Sequence, residues 1–351
     1  MNEVIQEDVG AIAAELGASL AALAGTTLLV TGGSGFLASY LLDSVAWFND
    51  HLPATPCRLI SIDNLRSGKA ERIAYLAARP EFRFVEADVA QPFDLGEPVD
   101  WIVHAAGIAS PTFYRRYPLE TIDVNVAGTR QVLELARRSG VRSVVSLSTS
   151  EIYGDPDPRF IPTAEDYRGN VSCTGPRACY DESKRLGETL CAIYHAHHGV
   201  PVKVVRPFNV YGPGQRLDDR RIIPDLMAAA VHRQALVLHS DGRATRTFCY
   251  ITDFIRALWL ILLSDANGEV FNAGNDEGEI GIRDLALLFQ ELAGPPRPDV
   301  QFAASADPHY LTDNPQRRCP DLTKLRARFP WQPQVGLAEG LQRTLRSYGG
   351  G

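Results

Sequence analysis

Ile5, Val9, Ile12, Leu16, Leu20 and Leu23 recur three or four positions apart, the spacing of one apolar helix face. The rest of that segment carries neither Lys nor Arg, which a helix lying on a membrane surface would need. The face is therefore expected to pack on the domain or on a neighbouring subunit. From Thr26 the pattern changes to short apolar runs: "TLLVTGG", "RLISIDN", "FRFVEADV", "WIVHAAG", "SVVSLSTS" and "VKVVRPFN". Most are rich in Val, Ile and Leu, as buried parallel strands are. Helical stretches separate them, among them "VAGTRQVLELARRSG", which ends in a basic turn and a stopping glycine, Gly140. Alternating strand and helix predicts an α/β fold, a doubly wound parallel sheet. The rhythm breaks after Pro207, where Pro and Gly become dense, and a smaller mixed α/β lobe is expected from there. The boundaries read as a helical extension at 1–25, a sheet domain at 26–206 to which 246–271 returns, and a second lobe at 207–245 and 272–351.

The 351 residues are enough for a large core, and 45% hydrophobic with 22% charged residues is ordinary for a globular chain. A net charge of -7 argues against non-specific nucleic-acid binding. No apolar run approaches the roughly 20 residues that span a bilayer. The acidic opening "MNEVIQEDVG" is unlike a secretory signal. Six cysteines without CxxC spacing read as reduced thiols of a cytoplasmic protein.

"LLVTGGSGFLAS" is a strand, a glycine turn and a helix start, with Gly32, Gly35 and Ala38 spaced as G-x-x-G-x-x-A. Small residues there let the backbone approach a pyrophosphate, whose charge sits at the helix N-terminus. Phe36 and Leu37 open that helix. Asp63, at the tip of the second strand with Asn64 behind it, can accept hydrogen bonds from ribose hydroxyls and would repel a 2′-phosphate. This favours NAD over NADP, although Arg66 stands nearby. Asp88 and Val89 end the third strand where adenine would lie, and Ala105 of "HAAG" lines the cofactor's path.

In "TGPRACYDESKR", Tyr180 and Lys184 are four residues apart and share a helix face. A phenol has a pKa near 10, so useful phenolate at neutral pH needs a shift of roughly 3 units. A lysine ammonium together with a nicotinamide cation is the right kind of source. The combination of "TGGSGF", "STSEIYGDP", "YDESK" and "RPFNVYGPGQ" resembles the extended short-chain dehydrogenase/reductase family, with its Rossmann-like NAD-binding fold. Within it the chain is similar to the UDP-glucuronate decarboxylases (UDP-xylose synthases), through "ASPTFYRRYP", "EDYRGNV", "GPRACYDESKR", "ATRTFCYITD" and "DNPQRRCPDL". The likeness runs from about residue 26 to the C-terminus. Ala38 stands where glycine is more usual, and the spacing between "VQFAAS" and "DNPQRR" is longer than that subgroup suggests.

The resemblance implies that Tyr180 takes the proton of a sugar C4 hydroxyl during oxidation, with Lys184 and Thr149 orienting it. Ser150 and Glu151 of "STSEIYG" stand where the subgroups differ. Ser150 is too weak an acid to assist the loss of a C6 hydroxyl, which disfavours dehydration. By resemblance Ser150 and Glu151 lie near the sugar carboxylate, and Arg318 supplies a guanidinium expected to position it and then help deliver a proton through water. Oxidation at C4 makes a β-keto acid, which loses CO2; protonation at C5 and re-reduction then give UDP-xylose. Tyr114 and Arg177 match positions near the sugar acid, and Asn209, Arg221 and Arg246 match diphosphate contacts, where an arginine fork suits paired oxygens. A UDP-uronate 4-epimerase, a decarboxylase releasing the 4-keto-pentose and a non-catalytic sensor remain open. A homodimer is implied through the helices of "TRQVLELARR" and "YDESKRLGETLCAIY". No metal site is expected: His195, His197 and His198 lack a ligand partner at metal spacing, and Cys179 points away from Tyr180 as packing.

Overall fold

The computed structural model describes residues 2–52, 55–305, 307 and 309–349. Six parallel strands, β1 (Thr27–Thr31), β2 (Arg58–Asp63), β3 (Phe82–Glu86), β4 (Trp101–His104), β5 (Ser143–Leu147) and β6 (Val202–Pro207), form most of the central sheet. A seventh strand, Val270–Ala273, joins at the edge, giving the order β3-β2-β1-β4-β5-β6 and then 270–273. This is a Rossmann-like sheet. The chain reverses its winding between β1 and β4, and such a switch point opens a crevice at the strand C-termini. β1, β4 and β5 are buried along their whole length, which is why they read as unbroken apolar runs.

Helices cover both faces: α1 (Glu3–Leu20), α2 (Phe36–His51), α3 (Pro111–Arg116), α4 (Pro118–Asp123), α5 (Thr129–Ser139), α6 (Ala178–His198), α7 (Ile222–Val231) and α8 (Ile251–Leu262). α5 stops at Gly140, which takes the left-handed conformation at φ +61°. The second half adds short two- and three-stranded pairings, among them Arg317–Arg318 beside Thr245–Arg246. Among the described residues no helix is long and apolar enough to cross a membrane.

α1 buries the face its spacing predicted: Ile5, Val9, Ile12, Leu16 and Leu20, with Leu23 just beyond, all belong to the core beneath α2, α8 and the C-terminal helix Leu337–Ser347. Each such side chain contributes roughly 1.5–3 kcal/mol. The same helix inserts a charge. Asp8 is fully buried and accepts from the Tyr250 hydroxyl at 2.8 Å, the Tyr40 hydroxyl at 3.2 Å and Arg343 at 2.6 Å. Burial pushes its carboxyl above the ordinary range, and the bonds to Arg343 and Tyr250 oppose that. Since Tyr40 also donates to Pro213 O at 3.1 Å, one carboxylate ties α1, the nucleotide-side helix α2 and the C-terminal helix together. Asp8→Ala is expected to lower unfolding stability by about 3 kcal/mol, because it removes the acceptor of the buried Tyr250 hydroxyl and the tightest partner of Arg343. The denaturation midpoint measures this, and an unchanged midpoint would show that Asp8 joins nothing.

Candidate active site

Gly32 follows β1 with φ +71° and donates its N–H to Ile62 O at 2.7 Å. A Cβ at this position would stand 2.8 Å from Ala106 N and Cα, so only glycine allows β1 and β4 to approach around the turn. Gly35 closes the turn onto Gly32 O at 2.9 Å and caps α2, and Phe36 and Leu37 begin that helix. Asp63 at the end of β2 accepts the Ser34 N–H at 3.1 Å, the Ser34 hydroxyl at 2.5 Å and the Leu65 N–H at 2.9 Å. Ser34 is thus a partner that the spacing argument did not identify. Two carboxylate oxygens offer about four acceptor positions, so room remains for ribose hydroxyls. Arg66 is held away toward α4 by Glu120 at 3.4 Å. Asn64 donates to Asp88 at 3.1 Å, Asp88 turns back to the Ala90 N–H, and Val89 is buried beneath them. Asn64, Asp88, Val89 and Ala105 line a cavity of about 290 Å³. It shares Gly32, Gly35 and Ala105 with a larger one of about 1090 Å³. The cradle that a Cβ would fill, the carboxylate at the tip of β2 and the adjoining cavity fit NAD.

The larger cavity runs along the C-terminal ends of β1, β4 and β5 and is lined by Thr149, Ser150, Glu151, Tyr180, Lys184 and Arg318, among others. Thr149 lies two residues past β5 and caps the turn Ser150–Tyr153, accepting the Glu151 N–H at 3.2 Å. Tyr180 stands in the first turn of α6, nearly fully buried, its ring stacked on Tyr114 with centroids 5.0 Å apart and planes 7° from parallel. Burial pushes its phenol up to about 12, with a hydrogen bond to Thr149 pulling the other way. Lys184 shares the helix face but donates to Leu147 O at 2.8 Å, and burial lowers it to about 8. The protein's own groups therefore leave Tyr180 protonated at neutral pH.

The strongest charge contacts surround Glu151. Arg318 meets both of its oxygens, with Nη2 at 2.6 Å from Oε2, and Arg177 binds Oε2 as well. Burial would raise this carboxyl, but Arg177 and Arg318 outweigh it and hold the group far below the ordinary range. The backbone makes the meeting rigid. Gln316 N–H binds Asp155 at 3.1 Å, Thr163 N–H binds Cys319 O at 2.9 Å, and Asp321 N–H binds Thr163 O at 2.9 Å. Together these bonds zip the loop after Glu151 to the segment carrying Arg318. Behind the turn, Arg206 pairs with Glu188 at 2.6 Å and with the Tyr153 hydroxyl at 2.6 Å.

The remaining candidates line the same cavity in different settings. Asn209, at φ +42°, donates to Thr247 O at 2.8 Å. Arg221 pairs with Asp219 at 2.8 Å. Arg246 points along the neighbouring segment, donating to Thr245 O at 2.7 Å and Pro315 O at 2.5 Å. Asp181, unassigned in the sequence reading, is buried beside Arg177. An acid one helical turn after that arginine was the available signal. His195 lies at the far end of α6, bonded to Val200 O. Among the described residues no His, Cys, Asp or Glu group is arranged to hold a metal.

This fold defines a dinucleotide-binding enzyme scaffold, and residues 28–274 match the model of the NAD dependent epimerase/dehydratase family, to which the chain belongs. Its similarity to individual proteins is more specific. It is 38% identical over 314 residues to "UDP-glucuronic acid decarboxylase 6" of Arabidopsis thaliana, spanning 90% of this chain and 86% of that protein. The epimerase Mth375 of Methanothermobacter thermautotrophicus superposes with a TM-score of 0.82 at 28% identity, covering 95% of this chain and 94% of that one. UDP-glucuronic acid 4-epimerase of Bacillus cereus, solved with UDP-glucuronic acid and NAD, gives 0.76 at 25% identity over 92% and 99%. Asp63→Ala is expected to weaken NAD binding by about ten- to a hundredfold, the range of one or two charge-assisted hydrogen bonds. Fluorescence titration with NAD reads this, and unaltered affinity would remove Asp63 from the site.

Proposed function

We propose that this chain decarboxylates UDP-glucuronate to UDP-xylose and CO2. The observation that carries the reading is Glu151 clasped between Arg177 and Arg318 within the cavity that holds Tyr180. Two guanidinium groups converging there suit a sugar carboxylate, and the similarity to UDP-glucuronic acid decarboxylases supports that substrate.

When bound, NAD supplies the two-electron oxidation of C4 and its reversal. Tyr180 accepts the C4 hydroxyl proton, with Thr149 fixing the phenol and Lys184 holding the β5 carbonyl beside it. Arg318 and Arg177 grip the carboxylate of the resulting β-keto acid, and Ser150 borders it. Glu151 is driven off those guanidiniums yet stays beside them, so its charge repels the carboxylate until that group leaves as neutral CO2. Asn209, Arg221 and Arg246 serve the diphosphate, Tyr114 the sugar. The unit 26–206 with 246–271 holds NAD, 207–245 with 272–351 holds the nucleotide-sugar, and 1–25 braces both.

Leu119 and Ile122 on α4 and Leu186 and Ile193 on α6 are exposed, which supports a homodimer formed through α5 and α6 and the adjoining α4. All six cysteines are free thiols, in keeping with a cytoplasmic setting.

Incubation with UDP-glucuronate and NAD, followed by NMR, is expected to yield UDP-xylose and CO2 in equal amounts without net NADH. UDP-galacturonate without CO2 would sink the reading in favour of epimerisation. Glu151→Gln should slow CO2 release by about a hundredfold, typical of removing one charged group from a reacting centre. Affinity for UDP itself should hardly change, and equal losses in both would refute the role given to Glu151. Leu186→Glu with Ile193→Glu is expected to give a monomer by light scattering, and a persistent dimer would place the interface elsewhere.

A further inference from the structure

Decarboxylation of a uronate to a pentose consumes one proton for each CO2. Tyr180 does not supply it, because the proton it gains on C4 oxidation returns on re-reduction. A second buried acid stands in the same cluster. Asp181, one residue after Tyr180 on α6, is only 4% exposed. Its Oδ2 lies 3.7 Å from Arg177 Nε, beyond a hydrogen bond. Among the described residues its Oδ1, Arg177 Nε and the Tyr114 hydroxyl all lack partners although buried. Buried polar atoms left open in this way need an explanation. Arg177 is bound on its other side to Glu151, and Glu151 to Arg318. Two carboxyl groups thus flank one guanidinium, and a substrate carboxylate would make a third anion in one desolvated space. Two guanidiniums cannot neutralise three such groups, so the one without a hydrogen-bonded partner is favoured in its protonated form.

The groups facing Asp181 come from several elements: Glu151 from the turn after β5, Arg318 from its strand, Asp313 from the preceding loop and Arg177 at the start of α6. Tyr114 of α3 and Tyr180 complete the set. Burial first, and then the Glu151 charge, push the Asp181 carboxyl far above its ordinary range, against Arg177 and Arg318. An arriving carboxylate pushes it further the same way.

We propose that Asp181 is a positioning residue that holds the proton consumed in decarboxylation and delivers it to C5 through the Tyr114 hydroxyl. This rests on the decarboxylase reading above. As CO2 departs, the C5–C6 bond breaks and its electron pair enters the C4–C5 enolate. A C5–H bond then forms from the Tyr114 O–H, and the Asp181 proton reaches Tyr114 through one water bridging their unbonded oxygens, leaving the Asp181 carboxylate and a C4 ketone. Solvent returns a proton to Asp181 before the next turnover, so one proton is taken up per CO2. Tyr114 suits the intermediate position: it lines the cavity, stacks on Tyr180 and has an open hydroxyl.

The test uses the NAD-loaded full chain. Asp181→Asn is expected to lower kcat for CO2 release by about a hundredfold, within the usual range for a positioned proton donor, with affinity for UDP-glucuronate little changed. The wild-type rate should fall as pH rises and Asp181 deprotonates, and this alkaline limb should vanish in Asp181→Asn and return in Asp181→Glu. Tyr114→Phe should lose as much kcat, and the double variant no more than either alone, which keeps the proposal testable should Asp181→Asn fold poorly. A wild-type kcat in Asp181→Asn, a lowered kcat that retains the alkaline limb, or additive losses in the double variant would each overturn it. Wild-type protein that releases no CO2 would instead overturn the decarboxylase reading itself.

Discussion

The site depends on a half-buried carboxylate shared by two arginines. Moving Glu151 out of water is expensive, and Arg177 and Arg318, which both bind it, do most to offset that desolvation, with Arg246 adding to them. Removing either arginine would leave the carboxylate with a single guanidinium partner. On the proposed reading the pairing also keeps the guanidiniums in place for the sugar carboxylate. Much of the second half of the molecule keeps that meeting in register. The bonds from Gln316 to Asp155 and from Thr163 to Cys319 hold the segment of Arg318 against the loop of Glu151. The buried Arg206–Glu188–Tyr153 cluster then backs the turn from beneath.

The central sheet sets the other half of the geometry. Its reversal between β1 and β4 opens the crevice, and Gly32 lets the two strands approach without a side chain between them. β5 then delivers Thr149 and Glu151, and α6 delivers Arg177 and Tyr180, at the same end of the sheet. α1 contributes at a distance: Asp8 links the helix after the glycine turn to the C-terminal helix, so the cofactor side and the lobe side share one brace.

What the sequence revealed follows from the range of each interaction. Strands β1 to β6, the buried face of α1 and the stop at Gly140 depend on neighbours a few residues apart, and their periodicity shows in the chain. The pairing of Tyr180 with Lys184 on one helix face is local too. That face did not disclose that Lys184 turns to Leu147 O, or that burial raises the phenol. Both depend on β5. Glu151, Arg177 and Arg318 were named through resemblance, but nothing in their spacing says that residues 167 positions apart share two hydrogen bonds. Asp8 and Asp181 escaped notice because a buried acid and a solvated one look alike in a sequence until the packing around them is known.

The central claim is that Glu151 and the sugar carboxylate compete for the same two guanidiniums. Calorimetry can test it in a Tyr180→Phe background that stops turnover, by comparing UDP-glucuronate with UDP-glucose before and after Glu151→Gln. Competition requires that Glu151→Gln increase the preference for UDP-glucuronate, because the resident anion no longer has to be displaced. An unchanged or reduced preference would contradict the account.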